Sequence, residues 1–308
     1  MAKPRLLNTH SKKWESYKLF LYVLPCLIFI FIFKYLPLWG WSYAFFQYKP
    51  GRDLFKCAFV GLQNFTALFG NAVMRNNLLR VLRNTFGIQI LNYLLMPVPM
   101  LFAIFLSEIK STKFQKAVQT LTTLPHFISW VIMFSLATSL FGNSGVVNAV
   151  LKDFGAEGIN ILTTDQHVWL IQSLLALWKS LGWSAIIYFA AITGLDQEVY
   201  EAAMVDGASR WQKIRYITIP LLIPTFFVLL IMGIGNFLNS GIDQFLAFGN
   251  AMNKEYIEVL DLYVYNLGIG NGQISFSVAV GMMKSVVAVV LFALANFASK
   301  KIRGTSVF

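Results

Sequence analysis

Residues 216–242 read YITIPLLIPTFFVLLIMGIGNFLNSGI, and no charged side chain interrupts them. A helix that crosses a hydrocarbon core of about 30 Å needs about 20 apolar residues, so this stretch is long enough to span a membrane. The rest of the chain has the same character, because 57% of its 308 residues are hydrophobic and 13% are charged. Soluble domains carry about twice that charged share. The composition predicts an integral membrane protein. It excludes disorder, and the two cysteines exclude a disulfide scaffold.

Five further apolar stretches accompany this one. They cover 19–46, 84–107, part of 117–151, 168–193 and 275–298. Pro97 and Pro99 in the second stretch and Pro125 in the third predict kinks. Three lysines lie inside the apolar stretches, Lys34 in the first, Lys179 in the fourth and Lys284 in the sixth. The predicted fold class is all-α, an integral membrane protein with six transmembrane helices.

Basic residues decide the predicted orientation, since Lys and Arg concentrate in cytoplasmic loops. The net charge is +11, from 25 Lys and Arg against 14 Asp and Glu. The side that holds both termini carries Lys3, Arg5, Lys12, Lys13, Lys18, Lys110, Lys113, Lys116, Arg210, Lys213, Arg215, Lys300, Lys301 and Arg303. We therefore expect a cytoplasmic N-terminal segment 1–18, a transmembrane domain 19–298 and a cytoplasmic tail 299–308. The excess positive charge indicates contact with anionic lipid, and no nucleic-acid partner is predicted.

The connection 47–83 departs from this rule, because it is rich in basic residues and falls on the external side. Arg75, Arg80 and Arg83 alternate with apolar residues there. This pattern predicts a short amphipathic interfacial helix before the second span.

The connection between the fourth and fifth spans carries the strongest functional signal. Residues 201–205 favour a helix, and Asp206-Gly207 signals a turn. Ser209 can then cap a second short helix, which we expect to end before Pro220. The pattern predicts a cytoplasmic helix–turn–helix that presents apolar anchors to a partner, and an amphipathic loop lying on the membrane is the alternative. The anchors are Trp211, Ile214 and Tyr216.

This connection, about 196–220, resembles the EAA loop of ABC-importer permeases. The family pattern is Glu-Ala-Ala, then Gly, then Ile-x-Leu-Pro, and Ile219 stands here where leucine is usual. The matching residues are Glu201, Ala202, Ala203, Gly207, Ile217 and Pro220. The resemblance implies the type I importer permease fold, with cytoplasmic coupling helices that dock on an ATP-hydrolysing subunit. The residues that it assigns to this coupling loop are Glu201, Ala202, Ala203, Asp206, Gly207, Ala208, Trp211, Ile217 and Pro220.

Other segments resemble the permeases that import oligosaccharides released from polysaccharides, such as aldouronates. These segments are FVGLQNF at 59–65, RNT at 83–85, LPHFISW at 124–130, GNFLN at 235–239, DLYVY at 261–265 and AVGMMKS at 279–285. The resemblance implies a bacterial plasma (inner) membrane location. The partners that it implies are a second homologous permease, two ATP-binding subunits, an extracellular sugar-binding lipoprotein, membrane lipid and the oligosaccharide. It places ATP and Mg²⁺ on the partner ATPase and no cofactor on this chain.

No catalytic or metal site is predicted. The sequence has no phosphate-binding Gly-rich loop with Lys, so we expect ATP hydrolysis on a separate subunit. Three alternatives to an oligosaccharide permease remain. A type I permease for another small solute, such as an amino acid, phosphate or a polyamine, fits the loop equally well. A membrane-bound glycan-processing enzyme would need paired carboxylates or a metal cluster at a membrane face, and a channel would need a filter sequence.

Polar and aromatic side chains inside the spans are candidate sugar ligands, because intramembrane polar groups face the bundle interior or a water-filled cavity. The candidates are Ser129, Trp130, Trp178, Trp183, Tyr188, Asn236, Asn239, Asp243 and Gln244. Asn236 and Asn239 are expected to share one helical face. Hydrogen bonding between helices and interfacial anchoring are the alternative roles. For Lys179 and Lys284, contact with an anionic, uronate-containing sugar and pairing within the protein both remain open.

Overall fold

The computed structural model describes residues 9–162, 164–165 and 167–303. The predicted terminal segments 1–18 and 299–308 therefore lie partly outside the described residues. Apolar runs without Gly or Pro clusters form long helices, and turn residues separate them. The helices are α1 (Thr9–Ile30), α2 (Gln63–Gly70), α3 (Ala72–Leu95), α4 (Pro97–Ser107), α5 (Thr112–Thr123), α6 (Trp130–Phe141), α7 (Val146–Asp153), α8 (Val168–Thr193), α9 (Gln197–Val205), α10 (Arg210–Lys213), α11 (Ile219–Gly235), α12 (Asp243–Phe248), α13 (Lys254–Ile257), α14 (Leu260–Tyr265) and α15 (Ile274–Arg303).

Irregular helical turns join several of these elements. The π-helical turns are Phe31–Tyr35, Ile214–Thr218 and Asn266–Gly270, and the 3₁₀ segments are Leu36–Phe45, Leu54–Lys56 and Leu124–Phe127. Such turns inside longer helices mark bends or functional hinges.

Six helical stretches in the described chain are long and apolar enough to cross a membrane. They are Tyr17–Phe45, Ala72–Ser107, Trp130–Asp153, Val168–Thr193, Arg210–Gly235 and Ile274–Phe297. The predicted all-α fold with six transmembrane helices is confirmed.

Helix α8 is the centre of the fold. It packs against α3, α4, α5 and α11. It contributes Val168 and Leu175 to an apolar core shared with α3 and α6, and Ala185 and Tyr188 to a second core shared with α4. The first span, in contrast to α8, is not buried by the rest of this chain: none of the residues in its most apolar window is buried.

The basic stretch before the second span does not form a separate interfacial helix, so that prediction is wrong. It is the first part of α3, which is capped by Asn71, whose side chain accepts hydrogen bonds from Val73 N and Met74 N. Arg80 faces inward and pairs with Glu258 at 2.6 Å, with only 5% of the Glu258 side chain exposed. The ion pair joins this part of α3 to the segment that contains Glu258.

The boundaries of the third and fifth spans also differ from the prediction. In the third, the helix is interrupted by the 3₁₀ turn Leu124–Phe127, at the place where Pro125 predicts a kink. In the fifth, α11 ends at Gly235 although the charge-free run continues to residue 242. Asn236 and Asn239 therefore lie in the turn after the helix and not on a helical face.

Candidate functional site

The connection between α8 and α11 forms a helix–turn–helix, as its sequence predicts. Asp196 caps α9 by accepting a hydrogen bond from Glu198 N at 2.9 Å. Gly207 makes the turn with φ of +77°, a left-handed conformation that favours glycine. Ser209 and Gln212 form a reciprocal capping box at the start of α10.

The second helix does not end before Pro220, which corrects that prediction. Residues after α10 pass through the π-helical turn Ile214–Thr218 directly into α11, and Pro220 stands next to that turn. The second arm of the helix–turn–helix is therefore continuous with the fifth span.

The tip of this connection exposes apolar side chains. Val205 is 89% exposed and Trp211 is 58% exposed. Glu201, Ala202, Asp206 and Gly207 are exposed beside them. Ala203, Ala208 and Ile217 are half-buried, and Pro220 is exposed. Exposed large apolar side chains grouped at one tip are typical of a docking surface.

A hydrogen bond ties the two arms of the connection together. Tyr200 Oη in α9 lies 2.9 Å from Thr218 Oγ1, at the junction of the π-helical turn and α11. Thr218 is buried. The first arm is thus fixed to the base of the fifth span.

A cavity of about 470 Å³ lies along α8, between Ser173 and Tyr188. Its walls come from α3, α4, α8 and α11. The lining residues are Asn92, Leu95, Met96, Pro99, Ser173, Ala176, Leu177, Ser180, Trp183, Ser184, Ile187, Tyr188 and Leu229. Hydroxyl, amide and indole groups thus face an otherwise apolar space, which is the usual composition of a small-molecule site.

Two aromatic side chains define this cavity. Trp183 is 46% exposed, and its ring stacks flat on His126 with 4.5 Å between the ring centroids. Tyr188 is 2% exposed, and among the described residues its hydroxyl has no hydrogen-bond partner. A buried hydroxyl without a partner is rare, so this group is available to a polar ligand in the cavity.

The family follows from residues 88–304, which match the binding-protein-dependent transport system inner membrane components. The chain belongs to this family. The family predicted from the EAA-like loop is confirmed, and so is the location in the inner membrane.

Relatives of this inner membrane component are known from sequence and from structure. The chain is 40% identical to the polygalacturonan/rhamnogalacturonan transport system permease protein YteP of Bacillus subtilis (strain 168), over 92% of this chain and 88% of the relative. It is 33% identical, with a TM-score of 0.83 and coverage of 97% of this chain and 100% of the other, to a chain in the crystal structure of a bacterial ABC transporter involved in the import of the acidic polysaccharide alginate. A bacterial alginate ABC transporter in complex with an alginate pentasaccharide-bound periplasmic protein contains a chain with a TM-score of 0.84 and 33% identity, covering 99% of this chain and 100% of that one.

The side chains predicted to bind sugar lie in different parts of the structure. Trp183 and Tyr188 line the cavity, whereas Trp178 lies in a different, almost wholly apolar cavity of about 510 Å³ between α6 and α8. Gln244 is buried and donates to Gln172 O at 2.8 Å and to Gln172 Oε1 at 2.9 Å. Gln244 thus joins α12 to α8, which agrees with the alternative of hydrogen bonding between helices.

The remaining sugar candidates lie outside the cavity lining. Ser129 caps α6, and Trp130 is packed against the apolar core. Asn239 Nδ2 donates to Asn236 Oδ1 at 3.2 Å, so the two amides meet in the turn after α11. Asp243 is exposed at the start of α12. Their predicted role in sugar binding stays a prediction.

The sequence reasoning missed several cavity residues of the transport component. Ser173, Ser180 and Ser184 lie on the same face of α8, and Asn92 on α3 donates to Gln89 Oε1 at 3.1 Å. The serine spacing of seven and four residues is a helical-face signal that a search for periodic polar residues inside the spans would have found.

Lys179 and Lys284 are both engaged within the protein. Lys284 pairs with Asp261 Oδ1, and Asp261 Oδ2 also accepts hydrogen bonds from Ser240 N at 2.8 Å and Gly241 N at 3.1 Å. Lys179 donates to backbone carbonyls of the turn before α6. The structure therefore favours the internal role for each lysine.

A second ion-pair network fixes the segment between α11 and α15. Glu258 accepts from Arg80 and, through Oε1, from Asn266 Nδ2 at 2.9 Å, while its backbone carbonyl accepts from Asn84 Nδ2 at 3.1 Å. Burial, reinforced by the Glu258 carboxylate, raises the pKa of Tyr263 above its ordinary value of 10.0. Across the described ranges, no group of three or more His, Cys, Asp and Glu side chains could hold a metal ion.

Proposed function

We infer that this chain is the permease subunit of a binding-protein-dependent ABC importer, and that its cargo is an oligosaccharide derived from an acidic, uronate-containing polysaccharide. One observation carries the proposal. Helix α8 lines the cavity with Trp183 and Tyr188, and its C-terminal end at Thr193 leads within a few residues into the exposed helix–turn–helix. The proposed cargo site is therefore joined to the proposed energy-coupling surface by a short stretch of chain.

The cargo class is supported by the chemistry of the cavity and by the relatives. An aromatic ring with surrounding hydroxyl and amide groups suits a sugar, whose rings offer an apolar face and a rim of hydroxyls. The named relatives transport polygalacturonan, rhamnogalacturonan or alginate. A carboxylate accepts strong hydrogen bonds from neutral donors, so uronates need no lysine in this cavity.

The proposed assembly contains a second homologous permease, two ATP-binding subunits that hold ATP and Mg²⁺, and an extracellular sugar-binding lipoprotein. Both termini are cytoplasmic in this arrangement, which puts the exposed tip at Val205 and Trp211 on the side of the ATPase. The unburied first span is available to lipid or to the second permease.

Transport proceeds by alternating access in this proposal. Closure of the ATPase dimer displaces the turn at Gly207. The continuous helix formed by α10, the π-helical turn and α11, here called the α10–α11 rod, transmits this displacement to the membrane-spanning part of the protein. The Tyr200–Thr218 hydrogen bond makes α9 move with that rod. A ligand drives such a change only through contacts that differ between the two states, and the docked tip supplies them.

The decisive experiment measures ATPase activity of the complex purified from its native membrane and placed in lipid nanodiscs. Oligogalacturonates, alginate oligosaccharides and neutral oligosaccharides are added with and without the binding protein. We expect the strongest stimulation when an acidic oligosaccharide and the binding protein are both present, and weaker stimulation with neutral oligosaccharides. A preparation without an associated ATPase would contradict the importer function, and stimulation by neutral sugars alone would contradict the cargo class.

Substitutions at the tip should uncouple ATP hydrolysis from transport while the protein still folds. A Cβ on Gly207 would meet nothing within 4 Å, so Gly207→Val introduces only backbone strain of about 1–2 kcal/mol. We expect Gly207→Val and Glu201→Lys to lower sugar uptake by proteoliposomes at least about tenfold. Gly155→Val is the matched control, because Gly155 also has a positive φ of +76° and open space around it. Wild-type uptake by both tip variants would refute the coupling assignment.

Loss of the Tyr200–Thr218 hydrogen bond should weaken coupling to a smaller extent. One hydrogen bond contributes about 1 kcal/mol, so Tyr200→Phe should reduce the number of sugars imported per ATP by about two- to fivefold without abolishing basal ATPase activity. Thr218→Val should have the same effect, and the double variant should be no worse than either single variant. Additive losses would show that the two hydroxyls act separately.

A further inference from the structure

The chain is broken between α5 and α6, directly before the third candidate span Trp130–Asp153. Helix α5 ends at Thr123, a 3₁₀ turn covers Leu124–Phe127, and α6 begins at Trp130. The break lies beside the middle of α8, because Gly182 contacts the backbone of Thr122 and Thr123. Backbone carbonyls freed at such a break need hydrogen-bond partners, and lipid would offer none.

Lys179 supplies those partners. Its ammonium donates to Pro125 O at 3.0 Å, to His126 O at 2.9 Å and to Ile128 O. A lysine ammonium has three donors, so the three carbonyls use all of them. The same nitrogen lies 5.5 Å from the centre of the Trp130 ring, which adds a cation–π contact. Within the described part of the chain, no carboxylate lies within ion-pair distance of it.

The turn that Lys179 holds packs against one residue of the cavity wall, Trp183. His126 stacks on Trp183 with 2° between the ring planes, and Phe127 meets the same ring edge-on at 5.7 Å. Trp183 lines the cavity. The position of the indole ring therefore depends on the turn, and the turn depends on the ammonium.

We propose that Lys179 is a positioning residue for cargo recognition: it closes the break before the third span and so fixes the Trp183 ring against the cargo without touching the cargo itself. The inference rests on the proposed function for its cargo, but the closure of the break stands independently of any sugar. In this proposal the Lys179 ammonium binds backbone carbonyls and not the cargo. Its loss should therefore weaken the affinity for a charged and for a neutral sugar equally.

The first test needs no sugar. Amide hydrogen exchange is followed by mass spectrometry in the complete complex in nanodiscs, for wild type, Lys179→Met and Lys179→Arg. We expect Lys179→Met to raise exchange in peptides covering 124–130 at least about tenfold, and Lys179→Arg, which keeps a cationic donor, to restore most of the protection. Lys284→Met is the matched control, since it removes another intramembrane lysine and should leave 124–130 protected. Unchanged exchange in Lys179→Met would overturn the proposal.

The second test separates positioning from direct contact with the cargo. Uptake of trigalacturonate and of the same trisaccharide after reduction of its carboxyl groups is measured in proteoliposomes. We expect Lys179→Met to weaken the apparent affinity for both sugars by the same factor, about tenfold. A selective loss for trigalacturonate would show that Lys179 binds the carboxylate, which overturns the proposal but leaves the importer function intact. If wild-type complex takes up neither sugar, the proposed cargo fails, and the exchange experiment still decides the role of Lys179.

Discussion

Replacing Asp261 with alanine should destabilise the protein severely, by about 3–5 kcal/mol, because it leaves a buried charge without a partner. The side chains of Lys284 and Asp261 are only 14% and 16% exposed. Asp261 also accepts hydrogen bonds from Ser240 N and Gly241 N, so its loss orphans an ammonium and two backbone donors together. The expected measurement is a large fall in the apparent melting temperature of the purified complex, followed by loss of monodisperse protein at working temperature.

A graded series tests whether charge or shape causes this effect. Asp261→Asn keeps an acceptor for the two N–H groups but leaves Lys284 unpaired, and Lys284→Met leaves the carboxylate with its two backbone donors. Each should therefore destabilise less than Asp261→Ala. The double variant Asp261→Asn/Lys284→Met removes both charges and keeps the backbone hydrogen bonds, so it should approach wild-type stability. A double variant as unstable as the sum of its single variants would contradict a direct ion pair.

The transmembrane spans and the coupling loop could be predicted because their signals are local. A charge-free run fixes a span wherever it occurs, and the turn at Gly207 and the cap at Ser209 depend only on neighbours in the sequence. The end of α11 was not predictable in this way. The run stays free of charge past Gly235, and the turn is tolerated there because α3 and α14 contact it.

The residues that line the candidate cavity could be predicted only in part. Whether a residue lines it depends on which neighbouring helix packs against its face of α8. Trp178 and Trp183 are both tryptophans within the same apolar stretch, so the sequence does not distinguish them. In the structure Trp178 lines the apolar cavity between α6 and α8, and Trp183 lines the candidate site. The roles of the two lysines depend on contacts distant in sequence. Asp261 is a recognisable partner for Lys284, but the partners of Lys179 are backbone carbonyls, which carry no side-chain signal. Only Pro125 marked the place where those carbonyls become free.

Gly182→Ala should disrupt the same wall from the other side. A Cβ at Gly182 would lie 2.5 Å from Thr123 N and closer still to the carbonyl group of Thr122. These are backbone atoms at the end of α5, so no rotation of a side chain can relieve the overlap. Overpacking of this kind costs about 1–3 kcal/mol, and here it pushes α5 and the following turn away from α8. We expect sugar uptake to fall at least about tenfold and the melting temperature to fall with it.

Gly281→Ala is the matched control for this substitution. Gly281 also lies inside a membrane-spanning helix, α15, but a Cβ there would meet nothing within 4 Å. Removing a glycine from a helix interior without a clash should stabilise the protein by about 0.5–1 kcal/mol. Opposite signs for the two substitutions would show that close backbone approach, and not helix propensity, is the reason for glycine at Gly182. Equal and small effects would contradict the tight contact between α5 and α8.

The position of Gly182 also predicts how its substitution combines with that of Lys179. Gly182 precedes Trp183, so the backbone contact with α5 and the ring stack with His126 are adjacent on one helix. Both substitutions loosen the same turn against the same ring. Lys179→Met already releases that turn, so adding a Cβ at Gly182 should displace it little further. The loss of cargo affinity in the double variant should therefore be smaller than the sum of the two single losses. Full additivity in the uptake assay would mean that α5 and the turn support the cavity independently.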